Sequence, residues 1–431
     1  MSKGTVCLAY SGGLDTSTIL AWLLDQGYEV VAYIANVGQE EDWAAVEKKA
    51  LQMGAKKMII DDLEREMVED LCFKAVRVNA QYEDTYLLGT SLARPVIARG
   101  MMRAAAREGC QYVSHGCTGK GNDQVRFELA FYTINPKIKC ISPWRLPEFT
   151  SRFQGRNDLL EYAAQKNIPV SSTKAKPYSM DANLAHCSYE ASRCRQLADT
   201  QTNIANLQQA GMLEDPDVTP PEDMWTMTVS PLKAPDTPAH ITIHFEKGIP
   251  VKVETVESKQ TVTDSVEVFK LLNALGKEHG IGRIDIVENR LIGLKSRGCY
   301  DSPAMTILRV AHISIEGLTL DGRLRAARDT LSKQWSQLLY NGLYYSPERE
   351  FLQPSLDFAQ ERVNGEVRLQ LYKGQAYVLG RRSPEKLYSE EDASMDSLTT
   401  FDPADATGFI AIESIRLKKY GQQLAESGYK F

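Results

Sequence analysis

The chain has 431 residues, of which 43% are apolar and 25% charged, with 50 basic against 56 acidic side chains and a formal charge of −6. These proportions suit a globular protein of two to three domains and exclude a disordered or collagen-like chain and a strongly basic nucleic-acid binder. No run approaches 18 consecutive apolar residues, which excludes a membrane-spanning helix.

Over the first 165 residues, short apolar runs alternate with helical patterns. Residues 5–10 (TVCLAY) read as a buried strand, followed by a glycine turn and an apolar helix through Leu24. Strands are expected at 29–34, 57–60, 112–114 and 139–141, and helices at 42–53, 93–108 and 123–133. Pro95 suits the first turn of its helix. The alternation implies right-handed βαβ units and a mostly parallel sheet covered on both faces, with ligands outside the carboxyl ends of the strands. From 171 to 238 the chain is rich in Ser, Thr, Pro and Asp and reads as long loops with one helical insert. Hairpins come next around Lys247-Gly248 and Lys373-Gly374, with helical patterns at 265–279, 304–340 and 414–426. The fold class is α/β: a parallel-sheet nucleotide-binding domain (1–167), an α+β domain (168–383) and a C-terminal helical arm (384–431).

The start lacks a long apolar segment and a small-residue cleavage site, so no secretory leader is expected. Eight cysteines without a CxxC pair read as reduced thiols in a cytoplasmic protein. His186-Cys187 with Cys194 is the nearest approach to a metal cluster, and it lacks an evident fourth ligand. No metal-ligating set is assigned.

Ser11-Gly12-Gly13-Leu14-Asp15-Thr16-Ser17 joins the first strand to the first helix. Its glycines permit positive φ, and the helix start aims free N–H groups and a positive dipole end at an anion. Phosphate binding is therefore expected. The competing reading is a plain turn capped by Asp15-Thr16. A Walker A loop would need GxxxxGK(S/T), and this loop has no lysine. Asp15 beside phosphate calls for Mg²⁺. The loop resembles the SGGxD(S/T)S signature of ATP pyrophosphatases, the PP-loop enzymes, which transfer AMP and release pyrophosphate.

Further motifs are YLLGTSLARP ending at Pro95, SHGCTGKGNDQVRFE (114–128), Tyr178–Asp181, Ser188-Tyr189-Glu190, GRIDIVEN (282–289) and KSRGCY (295–300). Asn122 or Asp123 can cap a helix, and Arg126 offers a fork for a carboxylate or pairs with Glu128. His115 is tempting as an acid, but a hydrogen-bonded structural role is the commoner one. Taken together and in order, these segments are similar to the argininosuccinate synthase family over nearly the whole chain.

That resemblance implies condensation of L-citrulline with L-aspartate, with ATP split to AMP and pyrophosphate through a citrullyl adenylate. It implies ATP binding by Ala9, Tyr10, Ser11, Gly12, Gly13, Leu14, Asp15, Thr16, Ser17, Ala35 and Gly116. Citrulline falls to Tyr86, Ser91, Asn122, Arg126, Ser179, Ser188, Glu288 and Tyr300, and aspartate to Thr118, Asn122 and Asp123. It also implies a homotetramer with the C-terminal helix used in assembly, and no nucleic-acid or membrane partner. No side-chain nucleophile is evident, so no catalytic residue is assigned. The chain departs from the family at 192–210, nineteen extra residues after Ala191. This insert is either a tolerated surface elaboration or a segment that displaces Ser188 from citrulline.

Overall fold

The computed structural model describes residues 2–119, 121–169, 178–191, 213, 215–394 and 402–429. It divides into two compact units, residues 1–385 and 386–431.

In the first unit, β1 (Thr5–Ala9) leads into α1 (Leu14–Asp25), then β2 (Glu29–Asn36), α2 (Trp43–Gln52) and β3 (Lys57–Asp62). After several short helical turns come α3 (Gly89–Arg107), β4 (Tyr112–Ser114), α4 (Asp123–Ile134), β5 (Lys139–Ile141) and α5 (Arg156–Gln165). The five strands form one sheet in the order β3-β2-β1-β4-β5, every pair parallel. Alternation explains the layering. Val6, Leu8, Val30 and Ala32 face one core with Ile19 and Leu20 of α1, while Cys7, Val31 and Tyr33 face another with Leu92 and Val96 of α3. Both faces are buried, as an all-parallel sheet requires. Chain order reverses between β1 and β4, so the crevice for ligand opens at the carboxyl ends of those two strands.

Two antiparallel sheets complete the unit. One is built from β6 (Tyr178–Ala182), β7 (Cys187–Ala191), β11 (Arg283–Asn289) and β12 (Lys295–Asp301), in the order β11-β12-β7-β6. The other is built from β8 (Ala239–Glu246), β9 (Ile249–Thr255), β10 (Thr261–Val262), β13 (Gly365–Tyr372) and β14 (Gln375–Arg382), in the order β10-β9-β8-β13-β14. The helices are α6 (Ser265–Glu278), α7 (Pro303–Thr319), α8 (Gly322–Tyr340) and α9 (Pro347–Gln360). In the second unit, α10 (Pro403–Glu426) buries none of its residues.

Several boundaries differ from the expectations. α3 begins at Gly89, so Pro95 lies inside the helix rather than in its first turn. The Ser91 carbonyl there has no i+4 N–H to accept. The region 304–340 is two helices, because the Asp321 carboxylate accepts from the N–H groups of Arg323 and Leu324 and starts a new one. α10 begins at 403 rather than 414, with Asp402 accepting from Ala404 N–H. The loop expected across 171–238 contains β6 and β7. The insert 192–210 lies outside the described residues.

Candidate active site

The phosphate loop leaves β1 at Ala9. Tyr10 N–H donates to the Tyr33 carbonyl at 2.8 Å, and the Tyr10 hydroxyl meets Ser17 Oγ at 3.2 Å. Gly12 takes a φ of +73°, in the left-handed region, and its carbonyl accepts from Lys49 Nζ at 2.7 Å. Gly13 caps α1 without any side-chain hydrogen bond, so the Asp15-Thr16 capping arrangement is not formed. Thr16 Oγ1 instead accepts from Ser11 N–H at 3.3 Å and meets Ser11 Oγ at 3.2 Å. The start of α1 thus aims its positive dipole end at the cavity, where an anion is favoured.

Ala9, Tyr10, Ser11, Asp15, Thr16, Ala35 and Gly116 line a cavity of about 1100 Å³. Gly12, Gly13, Leu14 and Ser17 shape the turn without lining it. A Cβ on Gly116 would lie 3.0 Å from Thr16 Cγ2, so glycine is needed where the two loops approach.

A second, polar cavity of about 250 Å³ is lined by Tyr86, Asn122, Arg126, Ser188, Glu288 and Tyr300. These residues come from the segment before α3, from α4 and its cap, and from β7, β11 and β12. Tyr86 and Tyr300 stack with centroids 4.2 Å apart at 21°, and the Tyr86 hydroxyl accepts from Thr90 N–H at 3.0 Å. Behind them His186 Nε2 meets Thr90 Oγ1 at 2.9 Å. Burial, reinforced by the nearby Arg94 charge, lowers His186 to about 3, so it is neutral.

Asn122 Nδ2 donates to the Tyr340 hydroxyl at 3.0 Å, and its Oδ1 accepts from Leu291 N–H at 3.0 Å. The amide therefore ties α8 and the β11–β12 turn to the cavity and does not cap α4. Arg126 donates through Nε to the Tyr340 carbonyl at 2.9 Å and through Nη1 to Asp123 at 3.0 Å, not to Glu128. Ser91 is buried and does not line the cavity, and its Oγ has no partner among the described residues. Ser179 lies on β6, and its side chain lies outside the described residues. Ser188 lies in the cavity wall, opposite Tyr300 in register.

The two cavities share a wall. Arg94, Gly116, Cys117, Thr118, Asp123 and Asp181 line both. Arg94 Nη2 donates to Asp123 Oδ2 at 2.7 Å and also to Asp181. Burial pushes the Asp123 carboxyl up, but Arg94 and Arg126 overcome it and hold the group at about 2. Sequence reasoning missed the roles of Arg94 and Asp181. Both sit inside sequence motifs of the family, but only tertiary pairing reveals what they do.

Below the wall, His115 Nε2 donates to Glu128 Oε1 at 3.1 Å. The same oxygen accepts from Ser142 Oγ at 2.8 Å and Arg145 Nη2 at 2.5 Å. With Cys140 these residues bring three metal-capable atoms within 4.8 Å of one another. They do not fit a metal, because Arg145 occupies the carboxylate oxygen and burial pushes the Cys140 thiol up to about 12.

A loop of this type at the end of a central parallel strand, opening through one wall onto a polar pocket, defines an ATP-dependent synthetase that activates a small polar substrate. Comparison with known proteins gives the particular family. The family model described as the arginosuccinate synthase N-terminal HUP domain matches residues 5–169, and the one described as its C-terminal domain matches 198–420. The chain is 56% identical to argininosuccinate synthase of Saccharomyces cerevisiae over 434 aligned residues, covering 99% of each chain. It is 52% identical to that of Homo sapiens, covering 97% of each, and 54% identical to that of Schizosaccharomyces pombe, covering 95% and 96%. The chain belongs to the argininosuccinate synthase family, and it is a ligase that forms a C–N bond at the expense of ATP.

Proposed function

We propose that the larger cavity holds ATP, the smaller one L-citrulline, and the wall between them L-aspartate. The reaction is condensation of citrulline and aspartate to argininosuccinate, a step of arginine biosynthesis. The observation that carries the assignment is the shared wall, since adenylation and amine attack must occur at one carbon.

A ureido carbon is a poor electrophile because two nitrogens feed its carbonyl. Its oxygen attacks the α-phosphorus of ATP, the α–β bridge breaks, and pyrophosphate leaves. The aspartate amine, after losing a proton, then attacks the ureido carbon and expels AMP with the former ureido oxygen. Ser11, Thr16 and the N–H groups opening α1 hold the phosphates. Tyr86, Ser188, Glu288 and Tyr300 seat citrulline, while Thr118 and Asp123 orient aspartate. Asp123 is held at about 2, too weak a base to take the amine proton, so its role is orientation. Catalysis rests on positioning and on charge stabilisation at the departing pyrophosphate.

Mg²⁺ fits the oxygen-only donors of Asp15, Ser11 and Thr16 on this cavity, where it would neutralise phosphate charge. α10, which exposes Phe409, Ile410, Ile412 and Ile415, supports assembly into a homotetramer. No helix among the described residues is long and apolar enough to cross a membrane, and we assign the chain to the cytoplasm on its reduced cysteines. We place the boundary between the nucleotide-binding and synthetase domains near 167, a reading supported by the N-terminal family match over residues 5–169.

Pyrophosphate release tests the assignment: it should require citrulline and aspartate together and yield argininosuccinate. With ¹⁸O in the ureido group, the label should emerge in AMP. Label retained in argininosuccinate would refute the adenylate route.

A further inference from the structure

Gly116, Cys117 and Thr118 belong to the wall common to both cavities, and the loop that carries them is held from beneath at two points. Gln124 Nε2 donates to the carbonyls of Gly119 and Gly121, at 2.7 and 3.2 Å. At the other end, Cys117 N–H donates to His115 Nδ1 at 3.3 Å. Arg145 joins the two supports, donating to Gln124 Oε1 at 3.3 Å and to Glu128 at 2.5 Å.

The partners of His115 fix its tautomer. Glu128, held at about 2 against its burial by His115, Arg145 and Ser142, is an acceptor only. The imidazole proton must therefore sit on Nε2, which leaves Nδ1 as the acceptor that the Cys117 N–H needs. The ring is 1% exposed and stacks on Phe127 with centroids 6.1 Å apart. It is oriented on both sides and has no freedom to shuttle protons.

We propose that His115 is a positioning residue for the aspartate subsite. As the Nε2–H tautomer, it holds Gly116, Cys117 and Thr118 where the loop meets aspartate and ATP. This rests on the assignment of Thr118 to aspartate. The contact should influence aspartate and leave citrulline nearly untouched, because Tyr86, Ser188, Glu288 and Tyr300 are carried by other segments, while Asn122 and Arg126 are fixed by Tyr340 and Leu291 rather than by His115.

The test compares steady-state kinetics of wild type, His115→Asn, His115→Phe and Thr118→Ala. Asn places Oδ1 where Nδ1 lies and keeps the Cys117 contact, whereas Phe keeps the stacking and loses the acceptor. His115→Phe should lower kcat/KM for aspartate about tenfold or more with citrulline KM within about threefold, and His115→Asn should recover most of the loss. Asn performing no better than Phe, or Phe leaving aspartate kinetics unchanged, overturns the proposal. If Thr118→Ala leaves aspartate KM unchanged, the subsite assignment itself is at fault. Should His115→Phe fail to fold, ¹⁵N NMR of the wild-type imidazole decides: an Nε2–H tautomer supports the role and an Nδ1–H tautomer overturns it.

Discussion

Arg94 donates to Asp123 at 2.7 Å and also to Asp181, drawing α3, the start of α4 and β6 onto one guanidinium. It is 11% exposed and lines both cavities. Arg94→Gln leaves Asp123 and Asp181 without the guanidinium nitrogen they share. We expect a stability loss of about 3 kcal/mol, since removing one partner strands the charge of the others. Turnover should fall on the order of a hundredfold. Arg94→Lys should be intermediate, because it keeps the charge but must bring a compact, strongly hydrated ammonium to the point where Nη2 alone meets both carboxylates. Thermal unfolding with a pyrophosphate-release assay checks both, and a fully active Arg94→Gln enzyme would contradict the account.

His186 makes a prediction about pH. Its native value of about 3 lies below the unfolded value of about 6.5, so the unfolded chain binds the extra proton first. The associated stability is fully present above pH 6.5 and is lost as pH falls towards 3. Between pH 6.5 and 5 the wild type should lose about 2 kcal/mol through this group. His186→Gln, which can keep the Thr90 contact without titrating, should lack that slope. Urea midpoints of both proteins across the range measure the difference.

Gly89 opens α3 against the His186 ring, and a Cβ there would lie 2.2 Å from His186 Cγ. The ring stacks on Tyr300 at 5.6 Å and cannot retreat without moving the cavity wall. Gly89→Ala should cost about 1–3 kcal/mol by overpacking and raise citrulline KM more than ATP KM. An unchanged citrulline KM would show that the stack is not transmitted to the substrate.

Excision of residues 192–210 tests how Ser188 is held. Ser188 lies opposite both Tyr300 and Asp181 in antiparallel register, so two strands place it independently of the chain beyond Ala191. The shortened protein should keep citrulline KM within about threefold, while Ser188→Ala should raise it about tenfold. A large citrulline defect in the shortened protein would show that the extra residues take part in the site.

The nucleotide half was legible in the sequence because its signals are local. TVCLA is a continuous apolar run, and Ser11–Ser17 carries its chemistry in one turn. The residues proposed for citrulline were legible only through resemblance, since Tyr86, Ser188, Glu288 and Tyr300 are spread over more than two hundred positions. β6, β7, β11 and β12 escaped notice because Asp181, Ser188 and Glu288 face a cavity while Asp285 and Lys295 are exposed, so polar residues fall on both faces and the alternation that marks a half-buried strand is blurred. Tyr340 escaped because its hydroxyl acquires meaning only beside Asn122.

The order in which the chain emerges from the ribosome has a chemical consequence. All five strands of the parallel sheet come from residues 5–141, whereas the larger cavity at their carboxyl ends also needs residues as late as Asn273 and Lys277. The amino-acid pocket waits for Glu288 and Tyr300, whose strands close the sheet that β7 begins. At the usual pace of translation this interval is roughly 10–30 seconds. A nascent chain that ends short of α6 and these strands therefore carries the phosphate loop but has neither cavity complete.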